Sequence, residues 1–144
     1  MDTGETMKVI YKAGVWDLLH IGHLNALRLS AQLGDFLVVG VATDEYVERY
    51  KDRETLMSFQ ERAEIISALY MVDVVVPYEG PEDLTPIELF DVSIRVVDQY
   101  FGKGGTSHAI RQRESIKKLE EYGVKTIVIP RTPGISSTSI RSKL

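Results

Sequence analysis

The stretch Met7–Thr43, MKVIYKAGVWDLLHIGHLNALRLSAQLGDFLVVGVAT, decides the fold. Its opening, Met7 to Val15, alternates imperfectly between apolar and polar residues, which predicts a strand. From His23 to Leu33 the residues Leu24, Leu27 and Ala31 recur at helical spacing, and Gly34 stands where a helix commonly ends. Phe36 to Thr43 is then a near-continuous apolar run, as expected of a parallel strand covered on both faces. Strand, helix, strand is the unit from which parallel sheets with right-handed crossovers are built.

The rest of the chain repeats that alternation. Asp44 to Met57 is charged and is expected to be partly helical and mobile. Ser58 and Glu61 form a capping box for a helix running to Tyr70, with Ala63, Ile66 and Leu69 inward. Strands are predicted at Val72–Pro77, Ser93–Gln99 and Val124–Pro130. A short helix is predicted at Pro86–Leu89, a long one from His108 to Tyr122 stopped by Gly123, and a closing turn or two after Ser136. The pattern reads as an α/β fold, an open parallel sheet of about five strands with helices on both faces. One domain is expected over residues 7–144, with residues 1–6 a loose tail.

Bulk properties narrow the functions. Of 144 residues, 44% are hydrophobic and 26% charged, and 21 acidic against 17 basic side chains leave a net charge of −4. That balance argues against nucleic acid as a partner, since nonspecific binding needs a basic surface. There is no cysteine, so disulfides, thiol nucleophiles and thiolate zinc sites are excluded. No apolar run approaches the ~20 residues of a membrane span, and the opening MDTGET lacks signal-peptide character, so a cytoplasmic protein is expected.

In open parallel sheets ligands bind beyond the carboxyl ends of the strands, where strand order reverses. Four segments follow predicted strands: VWDLLHIGH, TDEYVERYKDR, QYFGKGGTS and RTPGISSTSI. In the first, Gly22 lets a ligand approach the backbone between His20 and His23, at a helix N-terminus that favours phosphate. Imidazole donors aimed at an α-phosphate would stabilise the charge it gains during transfer. The plain alternative is that one histidine caps the helix and the other is a surface group. A zinc pair fits poorly, because the histidines stand at i, i+3 rather than the i, i+4 of the helical zinc pair and no third ligand stands out. Asp17 reads equally as a substrate or metal contact and as a turn residue.

In RTPGISSTSIR, Pro133 and Gly134 make a turn, and Ser136, Ser137 and Thr138 open a helix with hydroxyls and free amides. Arg131 and Arg141 add charge suited to phosphate. Of Lys51, Arg53 and Arg62, one or two are expected to reach a phosphate. Lys103, in its glycine-rich loop, is a candidate on the substrate side, and His108 reads as a cap or surface residue.

On these residues the chain resembles the cytidylyltransferase-like nucleotidyltransferases. GVWDLLHIGH is similar to their G-x-F-D-x-x-H-x-G-H motif, and RTPGISSTSIR to their R-T-x-G-I-S-T-T motif. The resemblance runs from about Lys8 to the end of the chain and is nearest to the bacterial glycerol-3-phosphate cytidylyltransferases. It implies a Rossmann-like sheet, a homodimer, and attack of a phosphorylated acceptor on the α-phosphorus of CTP, with Mg²⁺ carried on the triphosphate. By position it gives His20, His23, Lys51 and Arg53 catalytic roles. The nucleotide would meet Gly14, Val15, Trp16, Gly22, Arg131, Ile135, Ser136, Ser137 and Thr138. The acceptor would meet Asp17, Arg62 and Lys103. The chain departs from the pattern at Trp16, where the family has Phe, in LYMVD, which lacks the usual arginine, and in VDQYFGKGG, where a Gly-Asp-Asp-Trp run is usual. ATP-dependent transfer to a heptose phosphate or to FMN therefore stays open, as does a non-catalytic nucleotide-binding module.

Overall fold

The computed structural model describes residues 7–51 and 53–143. The described elements run β1 (Val9–Gly14), α1 (Ile21–Ala31), β2 (Phe36–Ala42), α2 (Asp44–Lys51) and α3 (Phe59–Ser67). They continue with β3 (Val74–Tyr78), α4 (Thr85–Leu89), β4 (Ile94–Asp98), α5 (Ser107–Glu121), β5 (Lys125–Ile129) and α6 (Ser137–Arg141). The expected tail, residues 1–6, lies outside the described residues.

All strand pairs are parallel, in the order β3-β2-β1-β4-β5. The order reverses between β1 and β4, where a crevice is expected. β2 is apolar almost throughout and buried from Leu37 to Ala42, as its run of aliphatic residues requires. One face of the sheet packs Ile10, Val39, Val41 and Val96 against Leu27 of α1 and Ile66 of α3. The other packs Val9, Tyr11 and Val38 against Ile87 of α4 and Leu119 of α5. Helices therefore cover both faces, and the polar strand ends converge on one edge.

Three local expectations are revised. Gly34 is not a left-handed helix end: α1 closes at Gln32, and a Cβ at residue 34 would lie 2.7 Å from the Lys8 carbonyl and from Ile10. Close approach of backbone to β1 is what demands glycine there. The charged stretch after β2 is partly helical, as expected, and it is packed rather than wholly solvated: α2 buries Tyr46 and Val47 against Tyr50 and Tyr78. The loop after it is pinned too, since the Leu56 and Met57 amides donate to the Asp17 carboxylate at 3.0 Å each. α1 begins at Ile21 rather than His23, because His20 caps it.

Candidate active site

Beyond β1 the backbone turns sharply. Trp16 and Leu18 have φ values of 60° and 51°, a left-handed conformation that strains any residue with a Cβ. The Trp16 indole folds back over Gly14, where a Cβ would come within 2.8 Å of the ring, and donates its Nε1–H to the Gly40 carbonyl at 2.9 Å. This turn delivers His20 to the start of α1. There the Gly22 amide donates to His20 Nδ1 at 3.0 Å and the His20 amide donates to His23 Nδ1 at 3.2 Å. The two rings stack with centroids 3.9 Å apart. Gly22 is needed for that geometry, since its Cβ would lie 2.8 Å from the His20 ring.

His20 thus caps α1, and His23 completes the capping box by accepting from the His20 amide. A ring whose Nδ1 accepts a backbone N–H carries its proton on Nε2 when neutral. Both imidazoles then offer an Nε2–H on the ring edge away from the helix. Burial, then His20 and Lys12 nearby, pushes His23 down to about 3; burial also lowers His20. At neutral pH both are uncharged donors. The linkage follows: His23 gains no proton in the native state until pH falls near 3, whereas in the unfolded chain it titrates near 6.5. Stability from this group is full above 6.5 and is lost as pH drops toward 3. His23→Gln should flatten the acid limb of a urea-midpoint-against-pH profile across that window, and an unchanged limb would contradict the assignment.

His20 and His23 open onto a cleft of about 380 Å³ above the β1/β4 reversal. Gly14, Val15, Trp16 and Gly22 border it from the β1–α1 turn, and Lys51 and Arg53 from the end of α2 and the loop beyond. Arg131, Ile135, Ser136, Ser137 and Thr138 border it from the far side. The two motifs therefore face one space. Trp16 contributes little surface to it, being 5% exposed. Ser136 spends its hydroxyl as the α6 cap, accepting from the Ser139 amide, and Ser137 donates its hydroxyl to the Asp17 carbonyl. The helix-start amides of Ser137 and Thr138 and the Thr138 hydroxyl are left to meet a ligand.

Three acceptor-side expectations are corrected. Arg62 is fully buried and donates to the carbonyls of Val15 (2.7 Å), Ala42 (2.8 Å) and Met57 (3.0 Å) and to Asp44 (2.6 Å). Four of its five N–H donors are used inside the protein and the side chain is fully buried, so it holds strand ends rather than substrate. Asp17 borders the cleft, but its carboxylate is 1% exposed and occupied by the Leu56 and Met57 amides and by Arg141. Arg141, read as a phosphate ligand, is thereby a structural partner. Lys103 is exposed on a loop tied to α5 by Arg113 and Gln112, and it does not border the cleft.

Other cleft residues were not anticipated. Lys12, on β1, is buried with its Nζ 5.7 Å from the Trp16 ring centroid. Burial pushes its ammonium down to about 8, with Asp98 opposing that shift. Asp98 accepts from Arg131 at 3.1 Å and from the Tyr100 amide at 2.8 Å; burial raises its pKa, but these partners and Lys12 outweigh it and hold it below the usual carboxylate range. Arg95, Tyr11, Tyr78 and His108 line a second lobe of the same cleft. His108 is half-buried there and not a cap, a role that Thr106 fills.

Among the described residues no three His, Asp or Glu side chains converge on a metal position. The carboxylates bordering the histidine side, Asp17 and Asp98, are engaged as described. Such a lining suits a Mg²⁺ held by substrate phosphates and water, its common mode, and not a protein cage.

A sequence profile of cytidylyltransferase-like proteins matches residues 11–143. The chain belongs to that family. Glycerol-3-phosphate cytidylyltransferase of Bacillus spizizenii is 31% identical over 140 residues, covering 96% of this chain and 98% of its own. Bifunctional protein HldE of Syntrophotalea carbinolica is 35% identical over 139 residues, of which this chain spans only 26%. The lipopolysaccharide core biosynthesis protein of Thermoplasma volcanium superposes with a TM-score of 0.67 at 25% identity, over 88% of this chain and 98% of that one. Family membership makes the chain a nucleotidyltransferase, with cytidylyl transfer favoured by the full-length relatives.

Proposed function

We propose that this protein transfers a cytidylyl group from CTP to a small phosphorylated alcohol and releases pyrophosphate. The observation that carries the reading is that His20 and His23, whose Nδ1 atoms accept backbone amides and so leave Nε2–H as donors, line one cleft with Ser137 and Thr138. An acceptor phosphate oxygen attacks the α-phosphorus in line. The bond to the β-phosphate oxygen breaks, and pyrophosphate leaves with the electron pair. Charge gathers on the non-bridging α-oxygens during this step, and the two imidazoles donate to them. Lys51 and Arg53 hold the triphosphate from the α2 side, and Arg131 borders the base. Mg²⁺, when bound through the phosphates, offsets their charge. A cytoplasmic setting, where nucleoside triphosphates are supplied, is part of this proposal. The working unit is taken as a homodimer, which sedimentation would test.

A second reading keeps the site and changes the substrates. FAD synthase of Thermococcus sibiricus is 49% identical over 67 residues, 46% of this chain and 45% of its own. ATP with FMN, or with a heptose phosphate, is the corresponding pair. Thermal shift with each nucleotide separates the bases: at 100 times Kd a ligand adds roughly 2.7 kcal/mol, about 5–10 °C in a domain this size. CTP is expected to give the larger shift, and pyrophosphate release with CTP across a panel of phosphorylated acceptors is expected to follow. Binding without release across the panel would indicate a nucleotide-binding module.

A further inference from the structure

The second lobe of the cleft contains a charge without a counter-ion. Arg95 sits on β4 and is 6% exposed. Its Nη1 donates to the Ser115 hydroxyl at 2.8 Å and its Nη2 to the Thr126 hydroxyl at 3.0 Å, and Phe101 lies 4.8 Å from the guanidinium. Its Nε has no partner. Among the described residues no carboxylate pairs with it, although other acids border the cleft. Asp98 serves Arg131, Asp17 serves Arg141, and Asp83 accepts from the Thr85 amide. Burying an unpaired charge is costly, and proteins rarely tolerate it without a use. Burial lowers Arg95 only to about 10, so it stays charged at neutral pH.

A second orphan stands beside it. Tyr11 is in register with Arg95 across the β1/β4 pair, so the two side chains share the sheet face covered by α4 and α5. Its hydroxyl is buried, 2% of the residue being exposed, and has no partner. A Cβ on Gly40 would lie 2.3 Å from that hydroxyl, so glycine at 40 makes room for it. His108 adds a buried Nδ1 with no partner at the lobe wall, its Nε2 lying 3.3 Å from Gln112 Nε2. Unpaired polar groups thus gather in one lobe, on the opposite side of the strand ends from His20 and His23.

We infer that Arg95 and Tyr11 form an oxyanion subsite for the far end of the acceptor, which carries a second anionic group besides the phosphate that reacts. The inference rests on the nucleotidyl-transfer reading above. An acceptor whose reacting phosphate lies near the histidines reaches over the strand ends and places a carboxylate or second phosphate against Arg95. That class is a phosphorylated hydroxy acid or a bisphosphorylated sugar. A phosphorylated amino alcohol would set its ammonium against a buried guanidinium.

Matched acceptors test this with whichever nucleotide supports turnover. 3-Phosphoglycerate and glycerol 3-phosphate differ at one end, carboxylate against hydroxymethyl; fructose 1,6-bisphosphate carries a phosphate there and phosphoethanolamine an ammonium. The expected kcat/KM for the carboxylate or the bisphosphate is at least 10-fold above glycerol 3-phosphate and about 100-fold above phosphoethanolamine, as the cost of facing a like or unpaired charge suggests. Arg95→Gln should collapse that preference to within about 3-fold through the acceptor KM. Tyr11→Phe, which removes one hydroxyl from an otherwise apolar contact, should raise the same KM. It decides the matter if Arg95→Gln does not fold. Equal or better turnover of glycerol 3-phosphate or phosphoethanolamine overturns the inference while the proposed reaction stands. So does a change in nucleotide KM equal to that in acceptor KM. Release of pyrophosphate with no acceptor at all overturns the proposed reaction, and this subsite with it.

Discussion

His20→Ala and His23→Ala should each lower turnover by about 100- to 1,000-fold, the usual cost of deleting one donor to a developing oxyanion. The difficulty is that each histidine also caps α1, so loss of activity alone would not separate catalysis from folding. Asparagine resolves it at position 20, being among the best N-caps. His20→Asn keeps an acceptor for the Gly22 amide but cannot place a donor where the Nε2–H stood. Its melting temperature should match the parent while its turnover falls with that of His20→Ala. Restored turnover in His20→Asn would show that the ring matters only as a cap. The nucleotide Kd should rise less than turnover falls, because neutral donors of this kind grip the transition state harder than the ground state.

Arg62→Ala should cost about 3–5 kcal/mol of stability, seen as a lower urea midpoint and a melting temperature reduced by roughly 10 °C. The side chain is fully buried and joins the carbonyls at the ends of β1 and β2, through Val15 and Ala42, to the loop before α3 and to Asp44. Truncation leaves those carbonyls without a donor and opens a cavity beneath the cleft. Arg62→Lys should recover only a fraction, since one ammonium cannot span four acceptors set around a planar fork. If Arg62→Ala instead unfolds like the parent and raises only an acceptor KM, Arg62 faces substrate and the structural role is wrong.

These two arginine and histidine cases show what was legible in the chain. The alternation of strands and helices, and the two phosphate motifs, are local patterns, and each element was found to within a few residues. Strand order was not local, because it depends on which strands pair at long range. His20 and His23 were legible because glycine and helix start lie beside them in sequence. Arg62 was misjudged because a charge on a capped helix is ordinarily solvated; here the Val15, Ala42 and Met57 carbonyls and Asp44 take it inside. Lys12 and Arg95 did carry a signal. Each is a cation set among mainly apolar residues of a predicted strand, in VIYKAG and SIRVVD. A cation at such a position has nowhere to go but a polar cleft or a buried partner. His108 was misjudged because a helix start explained it locally, whereas its ring stacks on Tyr50 of α2, far away in sequence.

Asp17 has a consequence for how the protein comes into being. Its carboxylate joins the β1–α1 turn to amides 39 and 40 residues later and to Arg141, 124 residues later, and its carbonyl receives Ser137. Synthesis makes the histidines early and those last two partners late. A nascent chain that has emerged only as far as β5 holds both imidazoles but lacks the contacts that brace the turn carrying them. The turn that carries the imidazoles is therefore expected to be braced only once the chain has been made as far as Arg141.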